Sequence, residues 1–492
     1  MEGCAGERGA AFLLAILALL AGIGVALAVD LTAHAGASRR ERASERALAQ
    51  AREALIAYAT DRPMSREVGP GYLPCPDLDG DGWAEATCGS QSGDTGQAQR
   101  LGLLPWKTLG LPDLRDGYGE RLWYAVSSKY KGLLNCAVSR ACLDMTPDTA
   151  LGTISVRDAS GKLLHDGTIA EAHRADAGGA LAVVIAPGPV LSRLEASGSP
   201  SEQRRQCPSG ECDAAGRCLT DPPQRATACN PVNYLDRAPD GPLGGEDNAD
   251  FRDRNDAAGR PGNRNGFIDG PVVLPGGRVA VNDRLAVIGY RDVMPRLMRR
   301  IALEVRQCLR VHAARSGGRY PWPAAPCSQR DPDPVAAWKA ASDTYFGRIA
   351  EMPFDAACNI PDTADHTWWA SWRPFVFYAL APDFAPTASA FADCERPGAC
   401  LALADRAGRA IAPARHFAVL VAGAPVARAE GLQARTGANL AAVGEWLEDT
   451  NARLEGPAAC LAGPSCADEG TCGRLTVGPA ARDFNDVVVA QP

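Results

Sequence analysis

The densest run of chemically useful side chains is Asp77-Leu78-Asp79-Gly80-Asp81-Gly82-Trp83-Ala84-Glu85. Carboxylates stand at positions 1, 3 and 5 of this run, and the glycine at position 6 permits a sharp turn. Position 7 offers the main-chain carbonyl of Trp83, and Glu85 holds position 9. That pattern is the oxygen cage of a calcium loop. Position 12 is Cys88 rather than a bidentate Glu, so the run is not a full EF-hand and is closer to an Asp-rich calcium turn. Three like charges within five residues repel one another unless a cation sits between them. The expectation is Ca2+ held by Asp77, Asp79, Asp81, Trp83 and Glu85, set against the plain alternative of a solvated Asp-Gly turn.

Other candidate chemistry is weaker. Glu246-Asp247-Asn248-Ala249-Asp250, followed by Asn263-Arg264-Asn265-Gly266, offers oxygens, but intervening arginines dilute the field, and a polar connecting loop is the better reading. Trp368, Trp369 and Trp372, close to Phe375, Phe377 and Tyr378, form the densest aromatic group. It fits core construction better than a carbohydrate or partner surface. No Gly-x-Ser-x-Gly elbow, phosphate-binding glycine loop or dinucleotide fingerprint occurs. The six histidines are scattered, and none has an evident Ser or Cys partner. No catalytic residue and no organic cofactor is assigned, and the chain reads as a non-enzyme. A net charge of -7 without a Lys/Arg block argues against nucleic acid as a partner.

The elements that must position these residues announce themselves through apolar runs and cysteines. Ala10 to Val29 is 20 residues without charge or proline, long enough at about 1.5 Å per residue to match a bilayer core. Its length exceeds that of a secretory signal core, which favours a retained anchor over a signal peptide cut near Ala35. The stretch beyond it, SRRERASERALAQAREALIAYA, places Leu48, Ala51, Leu55 and Tyr58 at helical steps, so the helix continues and turns amphipathic. Arginines crowd the C-terminal flank of the run, which by the positive-inside rule alone puts the body in the cytoplasm. Sixteen of the 17 cysteines lie beyond the run, and this excess argues more strongly for export to an oxidising compartment.

Arg8-Gly9 directly before an apolar helix that becomes amphipathic resembles the type IV pilin and type II secretion pseudopilin superfamily. The segments GYLPCPDLDGDG, GLLPWKTLGLPD and DGYGERLWYAVS resemble the head of such prepilin-type proteins. The resemblance covers about residues 8 to 130. It implies a leader over residues 1–9, cut between Gly9 and Ala10 by a prepilin peptidase, and assembly with other pilin or pseudopilin subunits. Leu14 stands where pilins carry Glu at the fifth mature position, which puts the usual charge pairing with the N-terminal amine in doubt.

The chain also matches itself. Tyr72 pairs with Tyr320 and Pro105 with Pro353, both at an offset of 248. Trp123-Tyr124-Ala125-Val126 matches Phe377-Tyr378-Ala379-Leu380, and ALAVVIAPGPV matches FAVLVAGAPV. Cys136 and Cys142 match Cys394 and Cys400, and Asn282-Asp283 matches Asn485-Asp486. Equal spacing suggests the disulfides Cys136–Cys142 and Cys394–Cys400, while Cys75–Cys88 would bracket the acidic loop. Cys308, Cys327 and Cys358 stay unassigned.

The expected fold class is α+β: an N-terminal transmembrane helix continuing as an amphipathic helix, then two pilin-like heads, each a helix on a small antiparallel sheet. The expected division is a leader (1–9), a membrane helix (10–29), the amphipathic helix with the first head (30–288) and the second head (289–492). The function that follows is a non-catalytic minor pseudopilin or pilus subunit, single-pass in a bacterial-type inner membrane through Ala10–Val29, with both heads in the periplasm or outside. The alternatives are an anchored extracytoplasmic binding protein outside any filament and, more remotely, a secreted enzyme.

Overall fold

The computed structural model describes residues 6–62, 69–88, 100–127, 130, 146–149, 151–169, 173, 178–194, 199–203, 205, 230–241, 243, 245–251, 266–324, 340, 345–351, 358, 360, 368–388, 394, 400–429, 431–435, 442–452, 474–481 and 483–492. Within residues 6–34 only the side chains of Leu17 and Leu19 are included. Cys136, Cys142 and Cys327 lie outside the described residues.

Two helices and two matching sheets make the frame. Helix α1 (Gly6–Asp61) runs for 56 residues, and α2 (Tyr290–Arg315) for 26. The described C-terminal part of α1 buries Ala47, Leu48, Ala51, Leu55, Ile56 and Ala59, spaced by one to four residues along one face. α2 buries Val293, Met294, Leu297, Met298, Ile301, Ala302, Val305, Cys308 and Leu309 in the same manner. The helices lie side by side. Arg52 of α1 pairs with Asp292 of α2 at 2.5 Å, and Glu53 meets Arg296 at 3.2 Å.

The first half carries β1 (Leu101–Leu103), β2 (Trp123–Val126), β3 (Ser155–Arg157), β4 (Leu163–His165), β5 (Ala182–Ala186), β6 (Ser192–Leu194), β7 (Pro200–Glu202), β8 (Gly266–Ile268), β9 (Val272–Val273), β10 (Val279–Val281) and β11 (Arg284–Ile288). The second carries β12 (Phe346–Arg348), β13 (Val376–Leu380), β14 (Leu401–Asp405), β15 (Ala410–Arg415), β16 (Phe417–Val421), β17 (Ala427–Arg428), β18 (Gly431–Leu432), β19 (Arg474–Val477) and β20 (Val487–Gln491). One sheet runs β1-β2-β5-β11 and the other β12-β13-β16-β20, all antiparallel. Each half adds a three-stranded sheet, β4-β3-β8 and β15-β14-β19, and in both the last pair is parallel. The hairpins β6–β7 and β17–β18 fall at the same place in the order.

The apolar runs explain the central strands. Ala182, Val184 and Ala186 of β5 face the helices, while Val183 and Ile185 face Trp123, Val156 and Phe267 on the opposite side. A strand covered on both faces needs an unbroken apolar run, and AVVIA supplies one. FAVLV of β16 is buried throughout in the same way. One continuous core joins α1, α2, the helix-facing side of the first sheet and the second sheet.

These findings correct two expectations. The protein is mixed α/β with several sheets, not an anchor followed by two separate heads of one helix on one small antiparallel sheet. The two halves share a core, and each contains a parallel pair. Parallel pairing needs a long crossover, and the stretches between β3 and β8 and between β14 and β19 provide it. The second correction concerns the membrane. Among the described residues, no helix is long and apolar enough to cross one, so the transmembrane helix over Ala10–Val29 and the single-pass inner-membrane placement are not upheld. The part of α1 from Arg39 onward is unsuited to lipid, because it turns Arg39, Arg40, Arg42 and Arg46 outward and beds its apolar side on protein. α2 likewise exposes Arg291, Arg296 and Arg299.

Candidate functional sites: an acidic loop and two buried carboxyl clasps

The acidic loop is anchored at both ends. A disulfide joins Cys75 to Cys88 across a separation of 13 residues. The Asp77 main chain pairs with Leu103 of β1 through hydrogen bonds of 3.0 and 2.8 Å. The Asp77 side chain is 1% exposed and accepts from Gly80 N–H at 2.7 Å and Gly82 N–H at 2.8 Å. Gly80 and Gly82 both adopt positive φ, 83° and 89°, where a Cβ would be strained. At Gly82 a Cβ would also meet the Trp106 indole at 2.7 Å.

These turns bring Asp77, Asp79 and Glu85 together, with one carboxylate oxygen from each within 4.8 Å of the others. Burial raises the Asp77 carboxyl to about 6; hydrogen bonds from Gly82 and Gly80 oppose the rise, and Asp79 and Asp81 add to it. Glu85 is raised by burial as well, although Leu78 N–H donates to it at 3.3 Å. Asp81 stands outside the trio, its carboxylate accepting from Trp83 N–H at 2.7 Å and its carbonyl accepting from Lys107 Nζ. Trp83 is 55% exposed. The arrangement is an oxygen cluster suited to a hard divalent cation, with three of the five expected ligands converging.

The other expected residues are distributed as follows. Gly9 and Ala10 lie within the α1 backbone. Cys394–Cys400 is bonded, and so is Cys308–Cys358, a pairing that spacing alone does not reveal. The latter ties α2 to the segment preceding helix α3 (Trp368–Trp372). Trp368, Trp369 and Trp372 are buried in the shared core and present no surface. In the Glu246–Asp250 stretch, Glu246 pairs with Arg157 at 3.0 Å and Asp247 with Arg193 at 2.5 Å, so those carboxylates already have cationic partners.

Asn248 leads to a site that spacing does not disclose. Its Nδ2 donates to Ile268 C=O at 3.0 Å and to Asp283 Oδ2 at 2.8 Å, and its Oδ1 accepts from Ile268 N–H at 2.8 Å. Asn451, in the short helix Asp449–Ala452, repeats the set: to Thr476 C=O at 3.1 Å, to Asp486 Oδ2 at 3.1 Å, and from Thr476 N–H at 2.9 Å. Asp236 N–H donates to Asp283 Oδ2 at 2.7 Å, and Glu448 N–H to Asp486 Oδ2 at 2.9 Å. The side chains answer in turn, Asp236 accepting from Asn282 N–H at 2.7 Å and Glu448 from Asn485 N–H at 3.1 Å. Gln203 donates to Asp236 at 2.8 Å, and Gln433 to Glu448 at 3.3 Å. Arg205 and Arg435 close the pattern, each donating to its neighbouring Gln, at 2.8 and 2.9 Å, and each lying against an aromatic ring, Tyr234 or Trp446. Each clasp joins the residues that lead into β11 or β20 to the strand β8 or β19 beside it.

Burial governs the charge of these groups. Asp236 is raised to about 6, first by desolvation. Asp283 and Asp486 are held well above the ordinary carboxyl range by desolvation and then by the facing acid, Asp236 or Glu448. Glu448 is raised by burial too. The sequence held one trace of this, the repeated Asn-Asp dipeptide at 282–283 and 485–486.

No family model, no curated protein and no solved structure matches this chain.

Proposed function

We propose that the chain is a non-catalytic assembly subunit of the pilin-like kind, in which an internally repeated frame carries a long helix for contact with further copies. One observation carries this reading. α1 spans 56 residues, about 84 Å at 1.5 Å per residue, and Arg40 of this helix lies against Gly117 and Tyr118 of the body. Ser38 and Arg39, just N-terminal to that point, are exposed and form the surface proposed for a partner. Arg39, Arg42 and Arg46 remain exposed along α1. The buried acids of the clasps accept hydrogen bonds from neighbouring backbone, a structural use that supports this reading. In this reading a prepilin peptidase removes residues 1–9, and a divalent cation, with Ca2+ the best fit, stiffens the Asp77–Glu85 loop.

Light scattering on the full chain at rising concentration tests the proposal. Ordered multimers are expected, and Arg39→Glu combined with Arg42→Glu should weaken assembly while leaving the unfolding midpoint unchanged. A chain that stays monomeric at every concentration contradicts it. Intact-mass analysis of protein from its native host should show a start at Ala10.

A further inference from the structure

The two clasps share a feature that ordinary packing does not require. In both, the aspartate Oδ2 accepts two hydrogen bonds, whereas Oδ1 of Asp283 and of Asp486 is buried and has no partner among the described residues. Asp236 and Asp283 are 0% exposed, and Glu448 and Asp486 4%. Two carboxylates buried side by side cannot both carry charge without a large cost. The cationic counterweight is small. Arg205 serves the first pair, but Glu120 shares it at 3.7 Å. Arg435 serves the second, but Asp148 shares it at 3.0 Å. The neighbouring charges are already paired: Arg193 with Asp247, Arg428 with Glu445, and Arg406 with Asp449 and Asp483. Asp269, on the other side of β11, accepts from Leu285 N–H at 2.9 Å and brings no positive charge.

We propose that each clasp is a proton-locked latch on the edge strand of its sheet, closed on β11 or β20 while one acid of the pair is protonated and opened when both ionise. The placement gives the latch its output. Asn282-Asp283 immediately precede β11, and Asn485-Asp486 immediately precede β20, and these are outer strands of the two four-stranded sheets. Losing the latch frees the edge strand without unpicking β2, β5, β13 or β16, which lie inside. The direction is fixed by the chemistry: protons close the latch, and alkaline conditions open it. The raised carboxyls agree with that direction.

Native-state hydrogen exchange on the full chain tests the latch, comparing β11 and β20 with β2 and β13 at pH 5 and pH 8 after correction for intrinsic exchange. Protection of the edge strands should fall about 10- to 100-fold between the two conditions, while the inner strands change far less. Asp283→Asn keeps the acceptor, removes the charge, and should abolish the pH dependence in β11 only; Asp486→Asn should do so in β20 only. Edge protection that is independent of pH, or an unaltered pH dependence in the variants, overturns the proposal. Infrared spectroscopy of the wild-type chain gives a reading that needs no variant. A protonated-carboxyl band from buried acids should be present at pH 5 and diminish by pH 8; its absence at pH 5 rules the latch out.

Discussion

The two halves of the molecule repeat the same strand order and the same clasp, but only the first shows an acidic loop. At an offset of 248 the second half reads Ala325-Pro326-Cys327-Ser328-Gln329-Arg330-Asp331-Pro332-Asp333, without the Asp-x-Asp-Gly-Asp-Gly run. The contrast separates two kinds of polar group. What occurs twice holds backbone: Asn248 and Asn451 each bridge a strand and a buried carboxyl with the same three hydrogen bonds. What occurs once, the Asp77–Glu85 loop with its converging carboxylates, has no sequence counterpart in the second half and is where function is best sought.

The largest effect expected is loss of Cys308–Cys358. Its separation of 50 residues exceeds the 13 of Cys75–Cys88 and the 6 of Cys394–Cys400. In the loop-entropy view, replacing each pair with serine should cost about 4, 3 and 2 kcal/mol in that order, measured by chemical denaturation. The comparison between halves is sharpened next by Asn248→Ala and Asn451→Ala. Each strands a buried strand N–H and C=O, so each should cost about 2–4 kcal/mol, and the two costs should agree to within about 1 kcal/mol. A large disparity would break the equivalence of the clasps.

Acidity should move stability in a direction opposite to ordinary acid unfolding. The folded Asp236 carboxyl lies at about 6, above the 3.8 of an ordinary aspartate. Its contribution is therefore fully present below about pH 4 and is lost as pH rises through about 6. Urea midpoints should fall between pH 4 and pH 7, and Asp236→Asn should flatten that slope. The smallest effect belongs to the acidic loop. With an affinity typical of weak calcium modules, 10 mM Ca2+ should add about 1.4–2.7 kcal/mol. Asp77→Asn with Asp79→Asn should remove that gain, and thermal unfolding with and without chelator provides the check.

Much of the frame was legible in the residues. Short apolar runs bounded by glycine and proline mark β2, β5, β13 and β16, and the four-residue steps of Leu297, Ile301, Val305 and Leu309 mark α2. The acidic loop was legible because its ligands sit within nine consecutive positions. The clasps were not, because their members are spread from Gln203 to Asp283 and from Gln433 to Asp486. The spacing also changes between copies: Asn248 follows Asp236 by twelve residues, but Asn451 follows Glu448 by three. The parallel pairs were hidden by their long crossovers. The shared core was hidden because contacts such as Arg52 with Asp292 join residues 240 positions apart. The run Ala10–Val29 invited a membrane reading through composition alone; the described structure yields no spanning helix.

The most direct test of the account is hydroxyl-radical footprinting of the full chain, dilute and assembled. If elements present once make the contacts between copies, the exposed residues of α1 around Arg39, Arg42 and Arg46 should become protected on assembly while the clasp regions stay unchanged. Protection confined to the outer strands β4 and β15, with α1 equally reactive in both states, would contradict it.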